Sequence, residues 1–128
     1  FYYSDNGSTA VEIAMKISYQ YWKNSGFKGK EKYISLYRGY HGDTIGTMSL
    51  GGVDEYSHVF SGLMFKSFKV SAPYCYRCPA GKKAESCGVE CVKPLETLLS
   101  RKAKSIAAMV LEPMIMGAGG MIVYPEKY

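Results

Sequence analysis

Apolar residues recur at helical spacing from Ser8 to about Lys23, where Ala10, Ala14, Ile17 and Tyr21 fall three or four apart and share one face. Asn24-Ser25-Gly26 closes that helix, and Gly29 lies in the loop beyond. Lys32 to Leu36 is short and β-prone, which predicts a buried strand. Gly39 to Asp43 then reads as a turn, and Thr44 to Leu50 as a short helix ended by Gly51-Gly52. The stretch from Val53 to Ala72 has no sustained period, with one candidate strand at Phe65 to Val70. Helical spacing returns from Val89 to about Lys102, with Val92, Leu95, Leu98 and Leu99 predicted inward. Ser105 to Leu111 is a near-continuous apolar run, as in a strand buried on both faces. Phe1-Tyr2-Tyr3 reads as the tail of a further buried strand.

Helices alternating with such strands predict an α/β architecture with a largely parallel sheet. Three internal strands are few for such a sheet, and the chain opens within a strand pattern without Met. We therefore expect part of a larger domain, cut at both ends. Across 128 residues the hydrophobic fraction is 47%, enough for a packed core and too high for wholesale disorder. No apolar run approaches the roughly 20 residues of a membrane span, and no secretory signal is visible. The expectation is a cytoplasmic protein without a membrane partner. Sixteen Lys and Arg against 11 Asp and Glu give a net charge of +5, densest at Lys28, Lys30 and Lys32. No basic stripe with interleaved aromatics accompanies them, so nucleic acid is not an expected partner.

In open α/β sheets, ligands sit beyond the carboxyl ends of the strands. Three loops leave strands in that sense, and each carries chemistry. In Ser4-Asp5-Asn6-Gly7-Ser8-Thr9, Gly7 permits a tight turn and close approach to a ligand, and Ser8 or Thr9 can cap the helix that follows. The free N–H groups and positive dipole end of that helix suit a phosphate. In Gly39-Tyr40-His41-Gly42-Asp43-Thr44, the Tyr40 ring can lie on a planar heteroaromatic ligand, and His41 is either a base or a satisfied structural group. Asp43 either caps the next helix or pairs with a cationic substrate group. Glu112 ends an apolar strand just before Pro113 and Gly117-Ala118-Gly119-Gly120, where an unpartnered carboxylate is costly, so it needs a bonding partner.

The order Ser-Asp-Asn-Gly-Ser-Thr-Ala-Val-Glu, Gly-Tyr-His-Gly-Asp-Thr-Ile-Gly and Leu-Glu-Pro with Gly-Ala-Gly-Gly-Met resembles the class III aminotransferases, pyridoxal-phosphate (PLP) enzymes of fold type I. The resemblance covers nearly the whole chain. Within that family it is most similar to the subgroup that aminates 8-amino-7-oxononanoate to 7,8-diaminononanoate in biotin biosynthesis. The resemblance implies that residues 1–128 are a partial PLP-binding large domain, and that the complete protein takes an amino donor and a keto acceptor as a homodimer. By position it implies that Gly7 and Ser8 bind the cofactor phosphate and that Tyr40 stacks on the cofactor ring and borders the substrate. It also implies that His41 and Gly42 shape that loop, that Asp43 serves the substrate, and that Glu112 lies near the ring. The family's Schiff-base lysine falls downstream, so no residue of this chain is assigned a catalytic role and the chain alone is expected to be inactive. Another class III enzyme acting on an ω-amino acid is the nearer alternative.

Cys75, Cys78, Cys87 and Cys91 lie in a loop insertion over 73–91 with the spacing C-x2-C-x8-C-x3-C. Four soft ligands in pairs could hold a structural zinc, which makes a small zinc-binding interaction module the remote alternative. Three residues between the last pair, at a helix start, argue against aiming both sulfurs at one ion. Reduced thiols with no metal are the expectation.

Overall fold

The computed structural model describes residues 1–128, the side chain of Ala84 excepted. Helix α1 (Gly7–Asn24) leads into strand β1 (Lys32–Leu36), followed by the short helices α2 (Ile45–Leu50) and α3 (Asp54–Ser57). Strand β2 (Phe68–Val70), helix α4 (Lys93–Lys102) and strand β3 (Ile106–Met109) follow, and a small hairpin of β4 (Ile115–Met116) and β5 (Ile122–Val123) ends the chain. The main sheet has the order β2-β1-β3 and both pairings are parallel, as the alternation of helices and strands predicts. Ile34 stands opposite Phe68 on one side and Met109 on the other, with a register irregularity between Lys32 and Tyr33.

The central strand sorts its side chains by parity, because successive residues face opposite sides of a sheet. Ile34 and Leu36 join Val70, Ala72, Ile106, Met116 and Ile122 in one core, covered by Leu95 and Leu98 of α4. Tyr33 joins Met15, Leu50 and Ala107 in the other, flanked by Val11 and Trp22 of α1. The sheet is thus covered on both faces, and full burial of Ile34 and Leu36 contributes about 2 kcal/mol each. The Trp22 indole N–H donates to the Ala107 carbonyl at 2.7 Å, and the Tyr33 hydroxyl to the Met15 carbonyl at 2.8 Å, tying α1 to the strands beneath it.

The α1 face that meets the sheet is not the one its spacing suggested. Val11, Met15 and Trp22 pack inward, whereas Ala10, Ala14, Ile17 and Tyr21 are exposed. The helix carries two apolar stripes, and the larger side chains of Met15 and Trp22 fill the space over β1 and β3. Leu99 likewise points outward, one position off the Leu95–Leu98 stripe. Phe1, Tyr2 and Tyr3 are exposed and form no strand, since an extended segment becomes one only beside a partner's ladder. The Val53 to Ala72 stretch contains α3 and a 3-10 turn at His58–Leu63, with β2 narrower than its predicted range. Among the described residues no helix is long and apolar enough to cross a membrane.

Candidate functional site

Helix α1 begins one residue earlier than its apolar pattern, and Asn6 caps it rather than Ser8 or Thr9. The extended Asn6 backbone lets its carboxamide oxygen accept from the Thr9 N–H at 3.0 Å, while the Thr9 hydroxyl oxygen accepts from the Asn6 N–H at 3.2 Å. The Ala10 N–H bonds the Asn6 carbonyl, so the N–H groups of Gly7 and Ser8 remain at the free end of the helix. Gly7 is inside the helix and not in a tight turn; a side-chain carbon built on it would meet nothing within 4 Å. The space in front of α1 is open at this position.

The loop after β1 folds back against this end. Gly42 has φ +125, and a Cβ there would collide with the Ser8 hydroxyl. Only glycine lets the loop and the helix approach so closely. Between them lies a cleft of about 390 Å³ lined by Asn6, Gly7, Ser8 and Val11 of the helix end and by Tyr40, His41 and Gly42 of the loop. The Tyr40 hydroxyl donates to the Asp43 carboxylate at 2.9 Å, which holds the phenol above its ordinary pKa, and Tyr56 meets its ring edge-on at 6.0 Å. Asp43 does not cap α2. Thr44 does, because its hydroxyl is the one at the turn into the helix.

Glu112 has the partners its position demands, and both are backbone groups. Its two oxygens accept from the Tyr40 N–H and the Gly117 N–H, each at 3.0 Å. One half-buried carboxylate therefore ties the second and third loops together. Arg38 strengthens that junction: its guanidinium donates to the Gly119 carbonyl at 3.2 Å, and a Cβ on Gly119 would strike the Arg38 carbonyl. Burial holds the His41 imidazole below its ordinary pKa, with the Glu112 carboxylate opposing, and its Nε2 is buried without a partner. His41 is thus neutral near pH 7 and belongs to the wall of the cleft.

All three predicted loops meet at one edge of the sheet, with the seven predicted site residues among them. A larger cavity of about 580 Å³ beside them is lined by Arg38, Asp54, Glu55, Tyr56 and Gly119, among others. An apolar groove of about 630 Å³ between β2 and α4 is remote from the loops. Sequence reasoning missed Glu12, Arg38 and Tyr56. Glu12 had a legible signal, since it lies four residues after Ser8 and so on the same face of α1. The four cysteines are free and half-buried, Cys75 and Cys91 within 3-10 turns and Cys78 and Cys87 just after them, and among the described residues no three metal-ligating side chains are grouped as an ion would need. Burial pushes the Cys91 thiol up, with the other three thiols adding to the shift.

The chain matches the class-III aminotransferase family over residues 1–128. It is similar to adenosylmethionine-8-amino-7-oxononanoate aminotransferase of Geobacter sulfurreducens, 47% identical over 99% of this chain and 28% of that protein. The enzyme of the same name from Methanocaldococcus jannaschii is 42% identical over 99% of this chain and 29% of its own length. The crystal structure of that name from Methanocaldococcus jannaschii superposes with a TM-score of 0.83 at 40% identity, covering 98% of this chain and 26% of that one. An amine transaminase from an uncultivated Pseudomonas species, solved in its PLP-bound form, gives 0.87 at 37% identity, covering 95% and 28%. The chain thus spans under a third of the length of the curated relatives it matches. With a glycine-hinged loop seated on a helix terminus and a family match that spans every residue, the chain belongs to the class-III aminotransferases.

Proposed function

We propose that this chain supplies the phosphate- and ring-binding loops of a PLP-dependent aminotransferase. The complete protein would transfer an amino group to 8-amino-7-oxononanoate, giving 7,8-diaminononanoate in biotin biosynthesis. The observation that carries the cofactor reading is the close seating of Gly42 on Ser8, which places an aromatic loop across a helix terminus with free donors. The acceptor is suggested by the relatives' names. Residues 1–128 would form part of the large domain, with 73–91 a cysteine-bearing insertion that takes no part in the chemistry. A homodimer in the cytoplasm completes the proposal, in keeping with the family resemblance.

The donor set fits the cofactor. The N–H groups of Gly7 and Ser8 and the Ser8 hydroxyl would hold a phosphate at the positive end of α1, where 18 residues of aligned peptide dipoles favour an anion. The Tyr40 ring would cover one face of the pyridine, held in place by Glu112 at its backbone and Asp43 at its hydroxyl. His41 and Gly42 would shape that wall and keep it dry. Asp43, exposed beside Tyr40, would face the substrate amine. PLP when bound supplies the electron sink for amino transfer, and these residues supply orientation and exclusion of water.

Absorbance of the full-length protein in the near-ultraviolet and visible tests this reading. A cofactor band that changes with adenosylmethionine or lysine, and reverses with 8-amino-7-oxononanoate, is the expected result. A protein that stays colourless with added PLP would sink it. The likeness to an amine transaminase, at 37% identity, supports a second reading, another class-III aminotransferase with a different amine substrate. That reading predicts cycling with simple amines and none with 8-amino-7-oxononanoate.

A further inference from the structure

Helix α2 is only six residues long, yet charged side chains from two other elements hold its ends. At its start, the Thr44 hydroxyl donates to the Glu12 carboxylate of α1 at 2.6 Å, and the same hydroxyl lies 2.9 Å from that of Thr47. A Cβ on Gly46 would collide with the Glu12 carboxylate, so glycine there is what lets the acid reach the first turn of α2. At its end, the Lys69 ammonium of β2 donates to the carbonyls of Ser49 and Leu50 at 3.1 and 2.7 Å. An anion thus sits at the positive end of the helix dipole and a cation at the negative end, the favourable sense at both.

Glu12 and Ser8 are one turn apart on α1. Ser8 touches Gly42, and Glu12 grips Thr44, so α1 holds the Tyr40-bearing loop at two points two residues apart. Glu12 does not line the cleft itself. We propose that Glu12 is a positioning residue for the cofactor: through Thr44 it fixes the Tyr40 ring at a set distance from the phosphate-binding end of α1. This rests on the PLP reading above. It adds a residue whose effect on the cofactor passes through a hydrogen bond to the loop and not through contact.

The test measures PLP affinity and the visible circular dichroism of the bound cofactor in the full-length protein and its Glu12→Ala, Glu12→Gln and Thr44→Val variants. Loss of a hydrogen bond to a charged group should weaken PLP about tenfold in Glu12→Ala and in Thr44→Val. The double variant should lose no more than Thr44→Val alone, because both changes cut the same tie and Thr44→Val also removes the cap of α2. Glu12→Gln should recover most of the affinity and of the dichroic band, since its carboxamide oxygen still accepts from Thr44. Gln restores bulk as well as the acceptor, so the control for packing is Thr44→Val, which keeps the side-chain volume and removes only the hydroxyl that bonds Glu12. If Glu12→Ala fails to fold, Thr44→Val and Glu12→Gln carry the same comparison. Wild-type affinity and dichroism in Thr44→Val and in folded Glu12→Ala, or additive losses in the double variant, overturn the inference while leaving the cofactor reading intact. Wild-type protein that does not bind PLP overturns both.

Discussion

At the scale of single residues, the candidate site depends on where side chains are absent as much as on where they are present. Gly42 combines a left-handed φ of +125 with direct apposition to Ser8, so alanine there meets both strain and collision. We expect Gly42→Ala to destabilise the folded protein by about 1–3 kcal/mol in denaturant unfolding, and to weaken PLP binding because the loop must withdraw from α1. Much of this was legible beforehand. Gly7, Ser8, Tyr40, His41, Gly42, Asp43 and Glu112 were all expected at one edge, and the cost of an unpartnered carboxylate correctly required a partner for Glu112. What sequence could not supply was the partner's identity, since the Tyr40 and Gly117 N–H groups become neighbours only when two loops distant in the chain meet. The caps, for which Ser8 or Thr9 and, as one of two readings, Asp43 were candidates, fall on Asn6 and Thr44 for a related reason. Asn6, Ser8 and Thr9 are all competent, as are Asp43 and Thr44, and the choice depends on where the backbone turns into the helix.

At the scale of elements, short helices here are defined by their termini. Asn6→Ala removes the carboxamide that satisfies the Thr9 N–H, and should cost about 1 kcal/mol of stability in chemical denaturation while fraying the first turn of α1. Lys69 gives α2 a pH signature. Burial brings its ammonium down to about 8 from an ordinary 10.5, with Asp54 opposing the shift. In the folded protein Lys69 therefore releases its proton earlier than in the unfolded chain. Between about 8 and 10.5 the unfolded state binds more protons, so this group makes stability rise with pH across that window. Lys69→Met should lack that rise, as unfolding midpoints measured across the window would register. The inward face of α1 was misread because both of its apolar stripes satisfy the helical period. Periodicity identifies a helix, whereas the volume of Met15 and Trp22 over the sheet decides which stripe is buried.

At the scale of the whole molecule, the parallel sheet and its double covering were readable from alternation and from the apolar run ending in Glu112. Strand order was not, because spacing along the chain does not say on which side of β1 each later strand docks. The β4–β5 hairpin also escaped notice, since paired segments of two residues are too short to show alternation. Exposed apolar side chains, including Phe1, Tyr21, Val59, Leu63 and Met121, are numerous for 128 residues. Apolar surface of this kind is what docking elements and subunits bury. In a chain matching under a third of its relatives' length, that exposure accords with the proposal of a larger, dimeric enzyme.

The central place of β1 has a consequence for biogenesis. Its neighbours in the sheet come later in the chain, Phe68–Val70 on one side and Ile106–Met109 on the other. A ribosome therefore releases Lys-Tyr-Ile-Ser-Leu with two bare edges; one stays open until Val70 has been made and the other until Met109. Parallel pairing over such separations is slow, and an open apolar strand recruits other nascent chains in the interval. The burden of avoiding aggregation falls on that window of synthesis.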